Sequence, residues 1–272
     1  MTSNLLGTAV ADVLDEVFGD DPAELFVVDP SPRAVQELVD AANDYDGDLP
    51  AIRLLGDERT LKDVMDDFIV ASNAANLVES DDLELRTLDG DGRSSMLVTE
   101  DRAVALLETG GLVGGLATDD ESFTGTAYDA ATADWADAEA FTLRTPAIDR
   151  VRSTLDEDIS GEVGDDFDDV LASLETARGD GEGLDEVTIS LLVAAKNREL
   201  LYDISKWGED VGIASKATFS RTKTKLEDLG LIDTEKVPID VGRPRLRLKL
   251  ADDRLEDAPA GEFANVAESM LA

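Results

Sequence analysis

The run SKATFSRTKTKLEDLGLI, from Ser215 to Ile232, and the run ending VGRPRLRLKL at Leu250 constrain this chain's fold more than any other stretch. Ser215 is a small polar cap at the head of a helical pattern that closes at Gly230. Phe219, Leu226 and Leu229 form its inward side, which leaves Lys216, Thr218, Ser220, Arg221, Thr224 and Lys225 exposed. Beyond it, Leu246, Leu248 and Leu250 alternate with Arg245, Arg247 and Lys249, so one face of a strand packs and the other is basic. Gly242-Arg243-Pro244 reads as the tip of a two-stranded hairpin. Upstream, Asp185 caps a helix carrying Val187, Leu191, Leu192 and Ala195. A second helical piece holds Leu200, Leu201, Ile204, Trp207 and Val211, and Gly212 supplies a left-handed turn.

Helix, turn, helix and basic hairpin, in that order, predict a winged helix-turn-helix over 184–250. Charge supports a DNA-facing role. From Lys196 to Lys249 lie twelve of the chain's 24 basic residues and nine of its 62 acidic ones, a local +3 against −41 for the remainder of a chain at −38. A surface at −41 repels a duplex, so a single net-positive stretch needs a reason beyond solubility. A recognition helix in the major groove would bring Ser215, Lys216, Thr218, Ser220, Arg221, Thr224 and Lys225 to bases and phosphates, with Arg221 suited to bidentate base contact. Arg243, Arg245 and Arg247 would place the wing on flanking DNA, at the backbone or in a narrow minor groove.

The rest of the sequence bounds the alternatives. A length of 272 residues suggests about two domains. Cysteine and histidine are absent, which excludes disulfides, Cys/His zinc sites and His-dependent nucleophile systems. No apolar run has membrane-spanning length and the acidic N-terminus is no secretory signal, so a cytoplasmic protein without cofactor or metal is expected. The acid excess over an apolar share of 43% fits a folded surface in molar salt, as in a halophilic archaeon.

Residues 1–160 read as an α/β domain. Helical spacing runs over 4–18, strands over ELFVVD, AIRLLG, AVALLE, LVGGLA and FTLRT, and helices from Pro32, from Thr60 to Glu79, over 123–140 and from Pro146. LELRTL and SSMLVT flank Asp89-Gly90-Asp91-Gly92 as a hairpin. Residues 161–183 read as an acidic linker with a short helix at 170–177 and a flexible GDGEG joint, and 251–272 as a tail helix with Phe263, Val266, Met270 and Leu271 on one face. Asp89, Asp91 and Glu100 match part of a calcium loop, but Arg93 and Ser94 break it. The glycines at 110–115 lack the lysine and hydroxyl of a phosphate loop.

The motif Ser215, Thr218, Phe219, Ser220, Arg221 … Leu226, Glu227, Leu229, Gly230, Leu231, Ile232 resembles winged helix-turn-helix regulators of archaea and bacteria, with Lys223 standing where that pattern has an apolar residue. With ISKWGEDVGIASKATFSRTKTKLEDLGLI, GRPRLRLKL and the acidic α/β domain, the whole chain resembles the haloarchaeal TbsP regulators. That resemblance implies a non-enzymatic transcription factor of central carbon metabolism, acting on double-stranded promoter DNA. It implies interplay with the sugar-responsive regulator TrmB at a gluconeogenic glyceraldehyde-3-phosphate dehydrogenase promoter. The first domain could resemble the phospholipase-D-like sensor domains of TrmB-type regulators; without histidine it is expected to be non-catalytic and to serve effector sensing or assembly, within a homodimer. A protein–protein adaptor of the transcription machinery, and a metabolite-binding enzyme with an accessory winged helix, are the alternatives.

Overall fold

The computed structural model describes residues 4–7, 9–88, 94–110, 112–178, 183–238 and 244–271. They fall into two compact units: Met1–Met65 with Asn73–Leu143, and Asp66–Ser72 with Arg144–Ala272.

The first unit runs β1 (Asn4–Gly7), α1 (Val10–Gly19), β2 (Glu24–Val28), α2 (Pro32–Asp44), β3 (Ala51–Gly56), α3 (Glu58–Val64), the part of α4 (Phe68–Glu79) from Asn73 onward, β4 (Leu83–Thr87), β5 (Met96–Val98), β6 (Ala103–Thr109), β7 (Leu112–Thr118), α5 (Glu121–Asp137) and β8 (Glu139–Ala140); α4 up to Ser72 belongs to the second unit. Its described strands make one eight-stranded sheet in the order β1-β7-β6-β5-β2-β3-β4-β8. β2, β3 and β4 are parallel and the flanking pairs antiparallel. Leu25, Phe26 and Val27 are all buried, because β2 is central and covered on both faces, which is why it reads as an unbroken apolar run. Ser31 accepts the Ala34 N–H and Pro32 occupies the first turn of α2, so that helix begins where the proline allows.

Several sequence expectations are corrected here. Residues 4–7 form β1 and only α1 is helical within 4–18. Asp57, not Thr60, caps α3, accepting from the N–H groups of Arg59 and Thr60, and the expected single helix is divided into α3 and α4. β4 and β5 do not form a hairpin: β4 lies between β3 and β8, and β5 between β2 and β6. β4 pairs in parallel with β3, and the intervening turn residues 89–93 lie outside the described residues. FTLRT is not a strand; the short edge strand is β8, just before it. Gly110, with φ of 56°, turns the chain after β6.

The second unit contains α6 (Ile148–Asp158), α7 (Gly161–Ala172), α8 (Glu186–Lys196), α9 (Leu201–Val211), α10 (Lys216–Asp228), β9 (Ile232–Val237), β10 (Arg245–Leu250), α11 (Asp253–Glu256) and α12 (Ala260–Leu271). It begins at 144, not at 184, because two helices read as domain end and linker belong to its core. Val151 and Leu155 of α6, and Val163, Phe167 and Val170 of α7, are buried in one cluster with Leu191, Ile204, Trp207 and Phe219. The Trp207 Nε1–H donates to Thr154 Oγ1 at 3.0 Å, satisfying the indole within that core. The tail helix α12 docks on its own unit through Phe263, Ala264 and Ala267, mainly against α7. Of the GDGEG joint, only Gly183 lies among the described residues.

Candidate nucleic-acid interface

Three helices and a hairpin build the candidate interface. Asp185 caps α8 by accepting the Thr188 N–H at 2.6 Å. α8 is buried along most of its length and serves as the support. α9 ends at Gly212, whose φ of 99° turns the chain; the N–H groups of Gly212, Ile213 and Ala214 all reach the Gly208 carbonyl, at 3.2, 2.8 and 3.3 Å. Ser215 then opens α10, its hydroxyl accepting the Thr218 N–H at 3.2 Å. Phe219 is fully buried and lies so close to α9 that a Cβ on Gly208 would stand 2.3 Å from its ring. Glycine at 208 is therefore what lets α10 seat on α9.

Leu226 joins Phe219 inside, but Leu229 is 43% exposed, contrary to the inward position expected of it. It is the C-cap of α10, and the chain turns at Gly230 (φ 75°) so that Leu231 and Ile232 enter the core instead. Lys223 occupies an apolar position by laying down its stem. Its ammonium donates to Glu227 Oε2 at 2.7 Å, and Glu227 also accepts from the Thr234 hydroxyl at 3.0 Å, tying α10 to β9.

The wing pairs β9 with β10 antiparallel, Arg247 opposite Glu235 and Lys249 opposite Asp233. A bridge between Leu200 and Arg247, with the Leu248 N–H donating to Glu199 O at 2.8 Å, adds a short third edge. Leu248 and Leu250 are buried and Leu246 is half-buried, so the alternation expected from the sequence is present.

The site residues expected from the sequence divide by their partners. Ser215 is committed to the cap, and Thr218 to it through a 3.1 Å hydroxyl contact. Ser220, Arg221, Thr224 and Lys225 are exposed on α10, and the Thr224 hydroxyl donates back to Ser220 O. Arg221 donates to Thr218 Oγ1 at 3.4 Å, and among the described residues neither it nor Lys225 has a carboxylate partner. Lys216, Arg245, Arg247 and Lys249 are paired. Lys216 Nζ lies 2.5 Å from Glu209, Arg245 3.3 Å from Asp203, Arg247 3.4 Å from Glu235 and Lys249 2.9 Å from Asp233. The hydrogen bond from Lys216 holds the exposed Glu209 carboxyl below its ordinary range and, reciprocally, raises the Lys216 ammonium. Arg243 lies outside the described residues.

A groove of about 400 Å³ brings the helix and the base of the wing together, lined by Tyr202, Ser205, Lys216, Ser220, Pro244 and Arg245 among others. The Arg245 guanidinium stacks 4.5 Å from the Tyr202 ring centre, and Tyr202 is 48% exposed. Sequence reading missed Tyr202. Its signal was an aromatic residue set off the Leu201–Ile204–Trp207–Val211 stripe. In the first unit, a separate hollow of about 650 Å³ is lined by Asp20, Glu24, Glu100, Asp101, Arg102 and Tyr128 among others. Arg102 there is held by Glu16 at 2.9 Å and Asp20 at 2.5 Å.

Comparison with known proteins decides the family. The profile described as "Transcriptional regulator TbsP-like, N-terminal" matches residues 2–146, and "Transcriptional regulator TbsP-like, C-terminal HTH domain" matches 147–268. The chain belongs to the TbsP-like transcriptional regulators. The junction between the two profiles lies within a few residues of the change of unit at 143/144. No curated protein matches the chain. Among solved structures, that of TrmBL2, titled an archaeal chromatin protein with a novel mode of DNA binding, is 17% identical with a TM-score of 0.38, covering 52% of this chain and 54% of that one. The chain thus matches about half the length of TrmBL2. Nuc, a phospholipase D family member from Salmonella typhimurium, is 13% identical with a TM-score of 0.34, covering 52% of this chain and 99% of its own. Likenesses at this level carry no argument about activity. Among the described residues no helix is long and apolar enough to cross a membrane.

Proposed function

We propose that this regulator binds double-stranded promoter DNA sequence-specifically, with α10 in the major groove and the wing on flanking DNA. The observation that carries the reading is the α10 stripe. In a chain with 62 acidic residues, Arg221 and Lys225 stand exposed, one helical turn apart, with no carboxylate partner among the described residues. An arginine so placed offers a bidentate donor to guanine, and a lysine one turn on offers a phosphate contact. Ser220 and Thr224 fill the same exposed surface with short polar groups suited to base edges or phosphates.

The finer reading is a non-enzymatic homodimer working in a molar-salt cytoplasm on promoters of central carbon metabolism, with interplay with TrmB. A dimer would read paired half-sites about one helical turn apart. Its first unit would receive an effector in the hollow around Arg102. Because carboxylates dominate that lining, a neutral or cationic ligand suits it better than an anionic one. Selection of duplexes from a randomised pool by the full chain in KCl tests the core of this reading. Enrichment of one motif, in two copies at helical spacing, is the expected result; recovery of unenriched sequence would refute sequence-specific binding.

A further inference from the structure

We infer that Glu209 and Asp203 are internal phosphate surrogates that silence Lys216 and Arg245 and so restrain sequence-independent DNA binding. The inference rests on the reading of α10 and the wing base as the DNA-facing surface. Lys216 and Arg245 line one groove with Ser220 and Tyr202, yet each is already held by a carboxylate, at 2.5 and 3.3 Å. Glu209 Oε1 also accepts the Lys216 N–H at 3.3 Å, so it caps the first turn of α10 while covering its lysine. Arg245 is fixed from a second side by stacking on Tyr202 at 4.5 Å. Both cations are therefore positioned and neutralised before DNA arrives, whereas Arg221 and Lys225 are not.

The consequence follows from counterion bookkeeping. A bare cation meeting a phosphate releases counterions and steepens the salt dependence by about 0.9 in log–log slope. A cation taken from a carboxylate leaves that carboxylate beside the phosphates, where it must draw a potassium ion from solution. Release and uptake then nearly cancel, and the contact adds little non-specific affinity. Specificity is left to the groups without partners on α10.

The test measures binding of the full chain to a duplex selected from a randomised pool and to a scrambled duplex, across about a fourfold range of KCl. Wild type is compared with the Glu209→Gln, Asp203→Asn double variant. Each substitution keeps an acceptor oxygen for its hydrogen bond and removes the charge. Expected is a log–log slope steeper by about two in the double variant, which over a fourfold rise in KCl is about a sixteenfold greater loss of affinity. The scrambled duplex should also gain more affinity at the low-salt end than the selected one. Equal slopes and an unchanged ratio between the duplexes would overturn the inference while leaving DNA binding intact. Failure of every protein to bind either duplex at any salt would overturn the DNA-binding reading and this inference with it. If the double variant loses its cooperative melting, Asp203→Asn alone, which leaves the α10 cap untouched, should carry about half the change in slope; no change there would count against the inference.

Discussion

Helix α10 and the β9–β10 hairpin hold their positive charge in different ways. On α10, Arg221 and Lys225 project without a carboxylate partner among the described residues, while Phe219 anchors the helix from beneath. On the wing, Arg245, Arg247 and Lys249 are each matched to a carboxylate, two of them across the strand pair. Position on α10 comes from a buried ring and a capping serine, so Arg221 and Lys225 are spared for a partner while Lys216 and Lys223 are paired with Glu209 and Glu227. Position on the wing comes partly from the cations themselves. The difference teaches that counting basic residues overstates a DNA-binding surface; their partners decide which are available.

If burial alone holds α10 in place, the largest effect belongs to Phe219→Ala. Its ring is fully buried against Gly208, and removal should cost about 3–5 kcal/mol in denaturant unfolding of the second unit. A cost below about 1 kcal/mol would mean that the wing, not the core, seats the helix.

The supporting helix sharpens the same contrast through pH. Burial above all, opposed by a backbone hydrogen bond and aided by the charges of Asp185 and Asp66, pushes the Glu186 carboxyl at the head of α8 up to about 6 from its ordinary 4.5. The folded state then holds this proton more tightly than the unfolded one. The group's destabilising effect is absent below pH 4.5 and is fully present above about pH 6. Glu186→Gln should stabilise the protein by about 2 kcal/mol at pH 7 and by nearly nothing near pH 4, read from paired melting curves. An equal effect at both pH values would assign the gain to packing instead.

A smaller effect is expected in the wing. Arg247 and Glu235 form a half-exposed cross-strand pair, with Arg198 on the same carboxylate at 3.2 Å. Arg247→Ala should cost about 0.2–1 kcal/mol of stability. A larger loss would show that the ion pairs hold the hairpin together.

Local signals carried most of what the sequence revealed. The Ser215 cap, the left-handed Gly212 and the inward Phe219 depend on neighbours within a few residues, and all appear as expected. Pairing in the sheet depends on distant residues. Asp89-Gly90-Asp91-Gly92 looks like hairpin chemistry, yet β4 pairs with β3 in parallel and with β8 antiparallel. In α7, carboxylates at 165, 166, 168 and 169 obscured the Val163–Phe167–Val170–Leu171 stripe that makes it core. The ion-paired state of Lys216 and Arg245 was invisible for the same reason, since Glu209 and Asp203 reach them only through the fold.

The most direct measurement is the affinity of the full chain for its selected duplex and for single-base variants, with and without Arg221→Ala and at fixed KCl. The account predicts a loss of about 1–3 kcal/mol on the selected duplex and relaxed discrimination at one base position. Unchanged affinity, with discrimination intact at every position, would contradict reading of DNA through α10.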